Sequence, residues 1–141
     1  TSFEAYPITT ADMIKAYEQF PEISNIASEI SSHLDQLLET GTLSLPDAHL
    51  HLITGDARET VSSWHEQADC WYLDGFSPAK NPELWEGNLM KAVYAKTCAG
   101  GTAATYTAAG FVRRNLSDAG FNVERVKGFG RKRHMSIARR A

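Results

Sequence analysis

The sequence predicts an α/β fold: a doubly wound, mostly parallel sheet with helices on both faces, closing in an antiparallel hairpin. Three observations lead there. Short apolar runs alternate along the 141 residues with segments whose apolar positions recur at helical spacing, the order expected of strand–helix–strand units. The runs His49–Thr54 and Ala68–Leu73 open into Gly55-Asp56 and Asp74-Gly75, an acid and a glycine where a parallel sheet turns into its loops. The last two runs, Phe121–Val126 and His134–Ala138, are separated by Gly128-Phe129-Gly130, which suits a hairpin. A chain of this length fits one domain with one core.

Ser2-Phe3-Glu4 reads as the end of a strand, and Tyr6-Pro7 turns the chain away. Thr9 followed by Asp12 is an N-cap with an acidic third position, opening a helix that stops near Pro21. Ile23, Ile26, Ile30, Leu34, Leu37 and Leu38 recur at three- and four-residue spacing, so one long helix with a single apolar face is expected, ended by Gly41. Pro46 and Asp47 break the chain before the His49–Thr54 strand, which alternates as a half-buried strand does. A short helix through Val61 and Trp64 precedes Ala68–Leu73, whose apolar and aromatic run predicts a buried central strand. Pro82 suits the first position of a helix that buries Leu84, Trp85, Leu89, Met90, Val93 and Tyr94 and stops at Gly100-Gly101. Thr102–Thr107 is then a strand, Ala108–Ala119 a helix capped by Gly120, and the closing pair follows. No repeat or low-complexity segment interrupts this order.

A content of 43% apolar and 10% aromatic residues is that of a globular chain, not of a disordered or collagen-like one. No apolar run reaches the roughly 18 residues of a membrane span, and no basic segment leads into a hydrophobic stretch at the amino terminus, so a membrane or secreted protein is not expected. Cys70 and Cys98 are too few for a disulfide framework; each is expected to serve as a small buried hydrophobe in a reducing compartment. The net charge of -3 hides an asymmetry: residues 1–110 carry 5 Lys or Arg against 15 Asp or Glu, whereas residues 111–141 carry 9 against 2. Clustered cations of that kind suit a polyanionic partner, the plain alternative being solvated charge.

Ligands of such sheets bind outside the carboxyl ends of the strands, which directs attention to Glu4, Asp56, Asp74 and Thr107. A carboxylate at Glu4 can accept from both cis hydroxyls of a ribose; otherwise it is a surface glutamate near a chain end. Asp56 can accept from an exocyclic adenine amine, or can form an Asx turn or N-cap before Ala57. The segment Asp74–Pro82 is the densest, an acid and an aromatic at the mouth of a proline-rich loop. There Asp74 could orient a nucleophilic nitrogen while Phe76 stacks on a base; otherwise Asp74 caps a turn and Phe76 packs inward. His33, His49, His51, His65 and His134 show no metal-ligand spacing. Trp64, Trp71 and Trp85 fall on faces expected to be buried.

Several ordered blocks resemble one enzyme family. Asp74–Pro82 followed by Glu83-Leu84-Trp85, then Thr105–Arg114, Ala119-Gly120-Phe121 and Lys127–Met135, are similar to the methyltransferase domain of the bifunctional tRNA 5-methylaminomethyl-2-thiouridine biosynthesis protein, MnmC. The resemblance runs from Ser2 to about Ile137. It implies a Rossmann-like class I methyltransferase sheet and a single, partial domain over residues 1–141. The implied reaction is S-adenosylmethionine-dependent methylation of the primary amine of 5-aminomethyl-2-thiouridine at the tRNA wobble position. By position in that fold, Glu4 would bind the cofactor ribose, and Gly55, Asp56 and the Ala57 amide the adenine. Asp74 would lie between cofactor and target amine and act by orientation and electrostatics, since a carboxylate is a weak base for an alkylammonium. Phe76, Ser77, Pro78, Lys80 and Asn81 would shape the uridine pocket. Arg113, Arg114, Arg131, Lys132 and Arg133 would grip tRNA phosphates, the alternative being a hairpin with solvated charges.

In that family the domain is often fused to a carboxy-terminal FAD-dependent oxidoreductase that generates the aminomethyl substrate; FAD would belong to that fused or separate partner, and the setting would be cytoplasmic. The family fold begins with a strand and a glycine-rich turn for the cofactor methionine, and no Gly-x-Gly segment precedes Glu4. The chain is therefore expected to lack the first strand, to expose two sheet edges and to be weakly active by itself. Two other functions compete: an N-methyltransferase for another amine, and an incomplete fragment that binds RNA through its basic tail.

Overall fold

In the computed structural model, which describes residues Thr1–Ala141, β1 (Ser2–Glu4) lies parallel to β3 (Ala48–Thr54), with Phe3 opposite Ile53 and Glu4 opposite Thr54. This pair belongs to the first of two units, Thr1–Asp56; the second is Ala57–Ala141. A strand that the sequence reading missed, β2 (Thr42–Leu45), completes a three-stranded sheet in the order β1-β3-β2. Leu45 faces Ala48 across β2 and β3, so Pro46-Asp47 is a two-residue hairpin turn where a simple break was expected. Four residues are too few to show their period, and only the buried Leu43 marks the inner face.

The first helix is as expected: α1 (Thr10–Tyr17) is capped by the Thr9 hydroxyl, which accepts from the Asp12 amide at 3.2 Å. The long helix is not. It is divided into a 3-10 turn (Pro21–Ile23), α2 (Ser24–Ser31) and α3 (Leu34–Thr40). At the break the Ser32 hydroxyl donates to the Glu29 carbonyl at 2.7 Å and the His33 amide donates to Ile30. A serine hydroxyl competing for backbone carbonyls tightens the last turn and ends the helix. The apolar stripe is split with it: Ala27 and Leu34 are buried, while Ile26 is 62% exposed.

The second unit holds α4 (Ala57–Ser63), β4 (Ala68–Tyr72), α5 (Gly87–Ala95), β5 (Thr97–Thr105), α6 (Gly110–Ala119), β6 (Asn122–Lys127) and β7 (His134–Arg139). Its sheet has the order β4-β5-β7-β6. β4 and β5 are parallel; β7 runs antiparallel to both β5 and β6. The expected hairpin is present, and because β7 enters between β5 and β6 the antiparallel share is larger than the sequence indicated. The carboxyl ends of β4, β5 and β6 and the amino end of β7 therefore lie together at one end of the sheet.

Three expectations are corrected in this unit. β4 is the terminal strand of its sheet, with Trp71 buried but Tyr72 82% exposed and Cys70 exposed; Cys98 is half-buried, so neither cysteine is a core residue. The helix from Pro82 divides into a 3-10 turn (Pro82–Trp85) and α5, because Glu86 is extended (ψ 153) and the Trp85 carbonyl is taken by Asn115 Nδ2 at 2.7 Å. Gly100-Gly101 lie inside β5 and not at a helix end. There the register steps from Ala68 opposite Thr97 to Cys70 opposite Thr102, a bulge that glycines accommodate.

α5 and α6 supply Leu89, Met90, Val93, Val112 and Leu116 to the core of this unit, each stabilising it by about 1.5–3 kcal/mol through burial. The polar groups buried among them are paired: Trp71 Nε1 donates to Thr97 Oγ1 at 3.0 Å, and that hydroxyl donates to the Val93 carbonyl at 2.7 Å. No helix is long and apolar enough to cross a membrane.

Candidate active site

Within the first unit, parallel pairing of β1 and β3 brings Glu4 and the Gly55-Asp56 turn to one strand end, and the Gly55 amide donates to the Glu4 carbonyl at 2.9 Å. Gly55 has φ 141, a backbone conformation that a side chain disfavours. Glu4 is exposed and accepts from the Ser2 hydroxyl at 3.0 Å. It shares a cavity of 340 Å³ with Tyr6, Pro7, Met13, Leu37 and Leu52. A carboxylate acceptor beside apolar walls is the chemistry a nucleoside requires, hydroxyls for the acid and a flat ring for the wall. The lining is chemically compatible with the nucleoside part of S-adenosylmethionine. Ala57 opens α4 in the second unit.

Within the second unit, Asp74 and its loop leave the carboxyl end of β4, where the Leu73 amide still bonds to Ala104 at 2.8 Å. The loop is then held by side chains from other elements. Tyr106, the residue after β5, donates its hydroxyl to the Gly75 carbonyl at 2.8 Å. Trp85, 1% exposed, donates its indole N–H to the Phe76 carbonyl at 2.9 Å and meets the Tyr106 ring edge-on at 6.5 Å. Lys80 and Asn81 amides both return to the Ser77 carbonyl, at 2.9 and 3.0 Å, and Pro78 is buried. The backbone is thus held on both sides of Asp74, at the Leu73 amide before it and at the Gly75 and Phe76 carbonyls after it, and its exposed carboxylate projects from a braced loop. Phe76 is 75% exposed; the inward-packing alternative for it is set aside.

The basic residues are divided. Arg131, Lys132 and Arg133 are exposed in the turn between β6 and β7, and the Lys132 ammonium sits 5.2 Å from the centre of the Tyr106 ring, a cation–π contact. That contact carries the basic turn to the Asp74 loop. Arg113 is half-buried and turned back on its own helix start, Nε to the Ala108 carbonyl at 3.4 Å, while the exposed Arg114 lies against Gly110. Thr107 is fastened by Ser136, whose hydroxyl donates to its carbonyl at 2.8 Å.

Residues 21–141 match the model of a family described as S-adenosyl-L-methionine-dependent methyltransferase. The chain belongs to that family. Its fold is similar to the crystal structure of MnmC2 from Aquifex aeolicus, with a TM-score of 0.65 and 29% identity over 78% of this chain and 36% of that one. The methyltransferase is thus of MnmC-like type, and its chain spans about a third of the length of that relative. Of the residues that brace the candidate site, Tyr106, Asn115 and Ser136 had no role in the sequence reading, and Trp85 had only the buried place that it does occupy. Tyr106 stood inside the strand expected over Thr102–Thr107, and only the end of β5 at Thr105 frees it to reach the loop. The other three act through backbone carbonyls, and no residue-type pattern announces such a bond.

Proposed function

We propose that this methyltransferase acts on tRNA, methylating the primary amine of 5-aminomethyl-2-thiouridine at the wobble position, and that residues 1–141 are part of one methyltransferase domain. The observation that carries the reading is the chain of contacts from Gly75 through Tyr106 to Lys132. It places a cationic turn next to an acid-and-aromatic loop, as an enzyme needs when it holds a nucleotide by its phosphates and works on its base.

Glu4 accepts from the ribose hydroxyls, and Asp56 with the Ala57 amide reads the adenine. S-adenosylmethionine, when bound, supplies an electrophilic methyl group on a sulfonium. The amine must arrive with a free lone pair, so the groups around it would have to accept its N–H hydrogens without protonating it. Asp74 accepts an N–H hydrogen bond from the amine, aims the lone pair and stabilises the charge that develops. Phe76, Ser77, Pro78, Lys80 and Asn81 shape the uridine pocket, and Arg114, Arg131 and Arg133 face the phosphates. An FAD-dependent oxidoreductase, fused or separate, supplies the aminomethyl group, and the reaction belongs in the cytoplasm with tRNA.

The test is methylation of tRNA that carries the aminomethyl nucleoside, with nucleoside mass spectrometry as readout, alongside calorimetric titration with S-adenosylhomocysteine. The wild type is expected to add one methyl to that nucleoside. Asp74→Ala should lower turnover on the order of 100-fold with an unchanged S-adenosylhomocysteine Kd. Methylation of a free amine with tRNA ignored would overturn the substrate, and equal losses of turnover and cofactor affinity would overturn the role of Asp74.

A further inference from the structure

Phe129 is 92% exposed at the tip of the turn between β6 and β7. A phenylalanine has no polar edge to offer water, so a ring held this open gains most from a flat partner. The backbone beneath it is already closed. The Gly128 amide donates to the Arg133 carbonyl and the Lys132 amide to the Phe129 carbonyl, both at 3.1 Å. At Gly128 the Lys132 carbonyl oxygen occupies the space that a Cβ would need. The ring is therefore presented by an ordered turn, and little backbone freedom remains to be lost on binding.

Its surroundings select the partner. Lys127, Arg131, Lys132 and Arg133 flank Phe129, with no acid from Lys127 to Met135. Lys132 covers Tyr106, itself 37% exposed and bonded to Gly75, and Phe76 follows in the same loop. Cations thus alternate with three exposed aromatic rings at one edge of the sheet. Cations follow phosphates, and aromatic faces take bases that are free of a duplex. A protein partner would have to answer four cations grouped around a single ring, a poorer match.

We infer that Phe129 stacks on an unpaired RNA base neighbouring the nucleotide presented to the Asp74 loop, while Arg131 and Arg133 hold the adjoining phosphates. The inference rests on the RNA-modifying reading above.

The experiment measures binding of the protein to an anticodon stem-loop RNA and to a blunt duplex of the same stem. Wild type, Phe129→Ala and Phe129→Trp are compared, with circular dichroism to show that each is folded. Phe129→Ala is expected to weaken stem-loop binding roughly ten-fold and to leave duplex binding unchanged. Phe129→Trp is expected to bind as the wild type does, its added emission being quenched by the stem-loop and not by the duplex. If the wild type binds the stem-loop and Phe129→Ala binds equally well, the stacking role is overturned while the RNA substrate stands. If the wild type binds neither RNA, the RNA reading fails and the inference fails with it.

Discussion

The Tyr106 hydroxyl reaches across the sheet edge to the Gly75 carbonyl at 2.8 Å, so a residue that leaves β5 determines where the loop leaving β4 can sit. The same ring carries Lys132 on its face. One tyrosine therefore couples the loop of the candidate nucleophile-orienting acid to the turn of the candidate phosphate-binding cations.

Tyr106→Phe keeps the ring and removes the bond. Such a hydrogen bond contributes about 1 kcal/mol net, so turnover should fall roughly five-fold while the cation–π contact and cofactor affinity persist. Steady-state kinetics with a parallel S-adenosylhomocysteine titration checks this; unchanged turnover would show that the loop is held without Tyr106.

Trp85 fills the space under the loop and is 1% exposed. Trp85→Ala removes its ring and leaves the Phe76 carbonyl without its donor, and should destabilise the second unit by about 3–5 kcal/mol. Urea unfolding provides the measurement. A loss below about 1 kcal/mol would mean that the pocket refills.

Gly128→Ala sets a methyl group against the Lys132 carbonyl, so the turn must open and Lys132 must leave Tyr106. RNA affinity should fall about ten-fold, with a shallower dependence on salt as phosphate contacts are lost. Anisotropy titrations at two salt concentrations report both. Cofactor binding, tested by calorimetry, should not change.

The Cys98 thiol is pushed above its ordinary value, first by desolvation and then by the hydrogen bond and charge of Asp69, with Arg140 acting against the shift. A raised thiol pKa means less thiolate at a given pH and slower alkylation. It also means that this group's contribution to stability is complete below the unfolded pKa and is lost as pH rises through the folded one. Alkylation by iodoacetamide, followed at Cys98 by mass spectrometry, should begin at higher pH than for a free cysteine in a short peptide. Asp69→Asn should move that onset to lower pH, and no movement would remove Asp69 as a cause.

What the residues alone determined is local. The Thr9 cap, the β3 and β4 strands, the Gly120 helix end and the closing hairpin are each decided by a few neighbours: a hydroxyl three residues from an amide, a run of alternating apolar side chains, a glycine after a helix. The blocks around Asp74 and Tyr106 were specific enough to resemble the family that residues 21–141 match. Tertiary structure decided the rest, because the deciding partners are distant in sequence. The Ser32–His33 break interrupts an apolar period that continues through it, so periodicity alone cannot show it. The 3-10 turn stops at Trp85, short of α5, because Asn115, 30 residues away, takes the Trp85 carbonyl. The candidate site follows the same rule: Gly75, Tyr106 and Lys132 meet only once β4, β5 and the β6–β7 turn share an edge, and hydrogen bonds to backbone carbonyls leave no mark in residue type.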